Sequence, residues 1–137
     1  TNTVKNMQLT ISPLRTSLLK FIEGCVLLVK LHQSKPGDNQ HVVIQTDKTQ
    51  WSPGIGGLEV MPLIHFKDNQ AIVKWPRGER FQAHRHFCGE EIFVIKGEFI
   101  DEHGRYPQGT WLRNPHLSEH FPFVEEETII LVKVGHI

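Results

Sequence analysis

The chain has 137 residues, enough for one domain with a real hydrophobic core. Apolar residues make up 39% and charged residues 22%, a balance that excludes a disordered or fibrous chain. Fifteen basic residues offset fifteen acidic ones, so no basic excess points to nucleic acid or to an anionic membrane surface.

The two cysteines, Cys25 and Cys88, are too few for a disulfide framework and read as reduced thiols in a cytoplasmic protein. No stretch looks like a signal peptide, and no apolar run reaches membrane-span length. Histidine is concentrated late in the chain, at His84, His86, His103, His116, His120 and His136.

Taken in order, the chain reads as short strands between turns. Val4, Met7, Leu9 and Ile11 suggest a first strand, ended by Ser12-Pro13. Residues 18–22 and 25–31 read as a hairpin around Glu23-Gly24, and 34–39 as a turn. Val42-Val43-Ile44 is a strand. The Gly- and Pro-rich stretch from Trp51 to Gly57 is a loop. Leu58 to Phe66 and Ala71 to Trp75 pair across Asp68-Asn69. Strands follow at 91–96 and 98–101 on either side of Gly97, with turns at Glu102 to Gly104 and Tyr106 to Gly109. A short strand at Trp111 to Arg113 precedes a β-branched one at Thr128 to Val134. No amphipathic helix appears. Strands recurring about every ten residues predict an all-β jelly roll or small barrel.

Residues 23–31 also echo 126–134, each ending an apolar run with a lysine. The echo is either a coincidence of two Val/Ile/Leu strands or the mark of a preceding repeat; residues 1–32 are read as the remnant of such a repeat or as dimerisation strands, and a homodimer is the expected assembly.

Gly78 to Gly97 spells G-x5-H-x-H-x3-E-x6-G. His84 and His86 are two apart, so a strand projects both imidazoles to one face. Gly89 permits a bend that returns Glu90 to the same pocket. The apolar run Ile92-Phe93-Val94-Ile95 behind it reads as a strand buried on both faces. Buried imidazoles and a carboxylate need partners, and a metal ion satisfies all of them at once. Parity favours Glu90 over Glu91, which is expected to face outward toward a basic residue. Cys88 reads as a bystander thiol. Trp75, Phe81, Phe99 and Trp111 are aromatics that either line a pocket over the metal or fill the core. Glu125 to Glu127 read as a solvated turn, and Arg113-Asn114 as a structural ion pair in preference to a contact for a substrate anion.

The stretch 78–97, followed by Gly109, Pro115 and His120, resembles the paired motifs of the cupin superfamily. Leu117 stands where that family usually has Gly, and Val124 where it usually has Asn. The run from His84 through Gly104, then Tyr106-Pro107 and Trp111 to Pro115, is similar to the ChrR-like cupins. That group includes the zinc-binding domain of the ChrR anti-sigma factor and β-diketone-cleaving, acetylacetone dioxygenase-like proteins. The match extends back to Trp51, Pro53 and Leu63.

The resemblance implies a cupin jelly-roll β-barrel, the double-stranded β-helix, as a single domain over 1–137 with its metal-binding core at 51–137. It implies that His84, His86, Glu90 and His120 hold the metal, with His116 as the alternative fourth ligand because Leu117 replaces the turn glycine. Three imidazoles and one carboxylate suit a single divalent transition ion, Zn2+ or Fe2+ first, Mn2+ or Ni2+ next. The implied function is a mononuclear metal-dependent dioxygenase acting on a small diketone-like molecule. The alternative is a non-enzymatic metal- or ligand-sensing domain. Nothing in the chain resembles the sigma-binding His/Cys cluster of ChrR, so a sensor would act on a partner in trans. The expected partners are a small-molecule ligand and a second copy, with no nucleic acid and no membrane.

Overall fold

The β-branched and aromatic runs between turn residues form strands and no helix among the residues that the computed structural model describes, which are 8–11, 24, 26–31, 37, 41–64 and 69–135. The strands are β1 (Gln8–Ile11), β2 (Val42–Gln45), β3 (Ser52–Pro53), β4 (Glu59–Ile64), β5 (Asn69–Trp75), β6 (His84–Arg85), β7 (Glu90–Lys96), β8 (Glu98–Asp101), β9 (Gly104–Pro107), β10 (Trp111–Asn114), β11 (Glu119–His120) and β12 (Thr128–Val134). Antiparallel pairing builds a six-stranded sheet in the order β10-β7-β12-β5-β4-β3.

The opposite layer is assembled from smaller pieces. β8 pairs with β9, and β6 with β11. Phe123 bridges to both Ile100 and Arg80, so the segment before β12 runs between β8 and the approach to β6. Backbone bonds from Phe81 N–H to Pro122 and from His86 N–H to Ser118 continue that pairing. Two antiparallel layers in this order make the jelly roll expected of the sequence.

Period-two alternation sorts the large sheet's side chains between two apolar clusters. Ile92, Val94, Ile130, Val73 and Trp75 point between the layers, where Phe99, Val124 and Leu58 meet them. Ile95, Ile129, Ile72, Met61 and Leu63 face outward under Ile44 and Trp51. Both faces of β7 are therefore covered, as its unbroken apolar run predicts.

Gly97, at φ +77, lets β7 turn directly into β8; a Cβ there would lie 2.7 Å from the Glu127 carbonyl oxygen. Lysine 96 and Glu127 pair at 2.7 Å beside this turn, and Arg105 holds Glu98 and Glu125 at 2.6 and 2.7 Å, so the acidic run 125–127 is a solvated, ion-paired turn.

Some boundaries differ from expectation. Tyr106 and Pro107 sit in β9 rather than in a turn, because β9 supplies the antiparallel partner of β8. Asn69 begins β5 opposite Val134. The two-residue strands β3, inside the stretch read as a loop, and β11 both depart from expectation, because their length is below what a periodicity can mark.

The expected strand at 25–31 is not formed in its described part. Residues 26–31 lie outside any strand and are exposed, Val26 fully so. The echo with 126–134 is thus not a structural repeat there, since β12 is central and mostly buried. Lys30 instead reaches Glu91, the outward basic partner that parity predicts. The strand at 18–22, the turns at 12–13 and 34–36, and Cys25 lie outside the described residues. So does most of the segment 1–32 on which the homodimer expectation rests.

Candidate metal centre

His84 begins the two-residue β6 and His86 directly follows it, while His120 comes from the antiparallel partner β11, where the register sets His120 opposite His84. Their ring centroids lie 4.7 to 4.9 Å apart, and one nitrogen of each falls within a 4.8 Å group. The Nε2 atoms of His86 and His120 are 2.9 Å apart. Gly89, at φ +70, makes the bend that lets Glu90 return as the first residue of β7. Glu90 Oε2 then sits 3.4 Å from His86 Nε2 and 3.6 Å from His120 Nε2.

Hydrogen bonds behind the rings orient them. His84 Nδ1 lies 3.0 Å from the carbonyl oxygen of Gln82, and His120 Nδ1 lies 3.4 Å from Asp101 Oδ2. Acceptors at Nδ1 leave Nε2 with its lone pair facing the centre, which is the arrangement a metal needs. Asn114 donates from Nδ2 to Glu90 Oε2 at 2.9 Å. Phe81 meets His84 edge-on and Phe99 meets His120 at a tilt, and both phenyl rings contact Trp75, so aromatic core backs the site.

Burial disfavours the charged forms of His86, His120 and Glu90. His86 is pulled down to about 4, chiefly by desolvation, with the neighbouring His120 and His84 adding to the effect. His120 is lowered by burial too, against the opposing hydrogen bond to Asp101. Glu90 is pushed up to about 7 by burial; the Asn114 hydrogen bond works against this, and the charge of Asp101 adds to it. Desolvated imidazoles and a carboxylate aimed at one point are groups that a cation would satisfy together.

The structure therefore brings together His84, His86 and His120, with Glu90 alongside. His116 is turned away: it is exposed, and its Nδ1 accepts the Cys88 N–H at 2.8 Å. Cys88 is exposed at φ 62 and lies outside the imidazole group. Of the aromatics, Trp75, Phe81 and Phe99 are near the site. Trp111 is not; it is 50% exposed and lines a hollow on the outer sheet face with Phe93, Leu28 and Leu131. Asn114 proves to be a partner of Glu90 rather than part of an ion pair. Parity could have found it, because Leu112 and Asn114 share the face that Ile92 and Glu90 occupy across the ladder. Nothing local marks Asp101, which reads as an ordinary turn aspartate.

Leu117 adopts φ 62, so the turn into β11 forms in the left-handed region without the usual glycine. That conformation costs a residue with a side chain roughly 1–2 kcal/mol. Leu117 is 46% exposed and recovers only part of this by burial. Leu117→Gly is expected to raise stability by about 0.5–1 kcal/mol after the greater unfolded-state freedom of glycine is deducted. A higher urea midpoint at unchanged slope is the readout; a lower midpoint would mean the leucine side chain contributes more than its backbone costs.

The family model described as the ChrR cupin-like domain matches residues 39–137. No curated protein matches the chain. Among solved structures, the anti-sigma factor ChrR of Rhodobacter sphaeroides, in complex with SigE, is 24% identical with a TM-score of 0.59. That match covers 64% of this chain and 50% of ChrR, so the chain spans about half of ChrR's length. A putative acetylacetone dioxygenase from Methylibium petroleiphilum is 18% identical with a TM-score of 0.62, over 80% of this chain and 81% of that one. An acetylacetone dioxygenase from Acinetobacter johnsonii is 18% identical with a TM-score of 0.60, over 81% and 80%. At these identities the structural likeness speaks to the fold alone. No helix among the described residues is long and apolar enough to cross a membrane. With its jelly-roll layers, its three-histidine site and a family match running from residue 39 to residue 137, the chain belongs to the ChrR cupin-like domain family.

Proposed function

We propose that the chain is a mononuclear metal-dependent dioxygenase that cleaves a small, enolisable diketone-like molecule. The observation that carries this reading is the convergence of the imidazoles of His84, His86 and His120 on one point beside the Glu90 carboxylate. These four side chains would hold one divalent ion, leaving a net charge of about +1 and open coordination positions. Bound there, the ion supplies Lewis acidity toward carbonyl oxygens and, as Fe2+, a redox partner for dioxygen. The chain's own residues orient the donors through Gln82, Asp101 and Asn114, and Phe81, Phe99 and Trp75 keep the side behind the rings dry. Support also comes from the two acetylacetone dioxygenase structures, which the chain parallels over four-fifths of both lengths.

The test is to load the metal-free protein with Fe2+ anaerobically and then follow dioxygen uptake with acetylacetone. Uptake of one dioxygen per diketone cleaved is the expected result, absent with Zn2+. A protein that binds Fe2+ yet consumes no dioxygen with any diketone offered would sink the enzyme reading. It would favour the second one, a metal-sensing domain acting on a protein partner, which the likeness to ChrR supports.

A further inference from the structure

Asp101 ends β8 as a buried carboxylate, 5% exposed, and it belongs to none of the site's donors. Its two oxygens do different work. Oδ1 accepts three bonds, from His103 N–H at 2.8 Å, Gly104 N–H at 3.1 Å and the Tyr106 hydroxyl at 3.1 Å. These bonds close the β8–β9 hairpin. Oδ2 faces away from the hairpin, toward Nδ1 of His120 at 3.4 Å. His120 is itself 3% exposed, so no bulk water is on hand to take the place of this acceptor.

From this division we infer that Asp101 is a positioning residue: it fixes His120 as the Nδ1–H tautomer and so keeps the Nε2 lone pair of His120 facing His86 and Glu90. A neutral imidazole carries one proton on its two nitrogens. An ionised carboxylate can only accept, so the nitrogen it faces must be the one that donates. Oδ1 is occupied by the hairpin, and Oδ2 is thus free to set the ring. The hairpin and the third imidazole become one unit, although they lie 19 residues apart in sequence. The metal consequence rests on the function proposed above; the tautomer does not.

The discriminating variant is Asp101→Asn, which keeps the side chain's shape. Its amide oxygen can still accept from His103, Gly104 and Tyr106. Its NH2 would face His120 Nδ1 and donate, driving the ring proton to Nε2. Nitrogen-15 NMR of the metal-free protein reads the tautomer directly. In the native protein His120 should show Nδ1 protonated, and in Asp101→Asn it should show Nε2 protonated. Tyr106→Phe, which removes one bond to Oδ1 alone, should keep the native pattern. Zn2+ affinity of Asp101→Asn should fall about 10- to 100-fold, the size expected when an orienting partner behind a metal ligand is lost.

An Nε2–H pattern in native His120 would overturn the inference, even if the variant failed to fold. So would an unchanged tautomer in folded Asp101→Asn, or a flipped tautomer with native Zn2+ affinity. If the native protein bound no Zn2+ at all, the metal reading would fall while the tautomer result still decided the role of Asp101.

Discussion

His120→Ala is expected to lower metal affinity by more than about 100-fold, since even a group that only orients a ligand is worth roughly 10- to 100-fold. The ring is buried, its Nε2 lies 2.9 Å from that of His86, and no other imidazole among the described residues joins the group. His116 is the candidate nearest in sequence, but its Nδ1 is held by the Cys88 backbone and its side chain is exposed. His116→Ala should therefore leave the affinity close to native. The substitution at His120 also strands Asp101 Oδ2 in the interior, at about 1–3 kcal/mol of stability. Affinity must accordingly be measured on protein shown to be folded, by competition with a chelator of known strength. Metal retained in His120→Ala and lost in His116→Ala would move the fourth ligand to His116 and require the turn at Leu117 to rearrange.

Phe99→Ala should be the most damaging core substitution near the site. The ring is 1% exposed and meets Trp75 at 5.6 Å, His120 at 6.2 Å and Tyr106 at 6.5 Å. Emptying such a position costs about 3–5 kcal/mol. Domains of this size have only about 5–15 kcal/mol in total, so a fall in Tm of roughly 10 °C or more is expected. Because His120 rests on this ring, metal binding should weaken as well. Saturating Zn2+ should still recover part of the stability, about 2.7 kcal/mol when its concentration is 100 times the Kd. A Tm within a degree or two of native would show that the layers do not depend on Phe99. A large fall with no recovery by Zn2+ would separate the core from the metal site.

Much of the fold was legible because strands write themselves locally. The run Ile92 to Ile95 has no polar interruption, and β7 is covered on both faces. Parity likewise separated Glu90 from Glu91: one lies beside the imidazoles, the other reaches Lys30 on the outer face. The same reasoning failed at residues 26–31, whose apolar run matches that of β12 but forms no strand. Composition marks a segment fit for a sheet; it does not supply a neighbouring strand with free hydrogen-bonding groups.

What the sequence determined by itself was local: the two-residue spacing of His84 and His86, the bend at Gly89, and the alternation that turns Glu90 inward. Each of these depends on bonds within a few residues, and period-two geometry carries them without reference to the rest of the chain. Only the tertiary structure decided that His120 rather than His116 meets them, that Trp111 faces outward, and that Asp101 and Asn114 stand behind His120 and Glu90. Those pairings join residues far apart in the chain. They depend on the register between strands and on which layer lies across the core, and neither quantity is written in any local pattern.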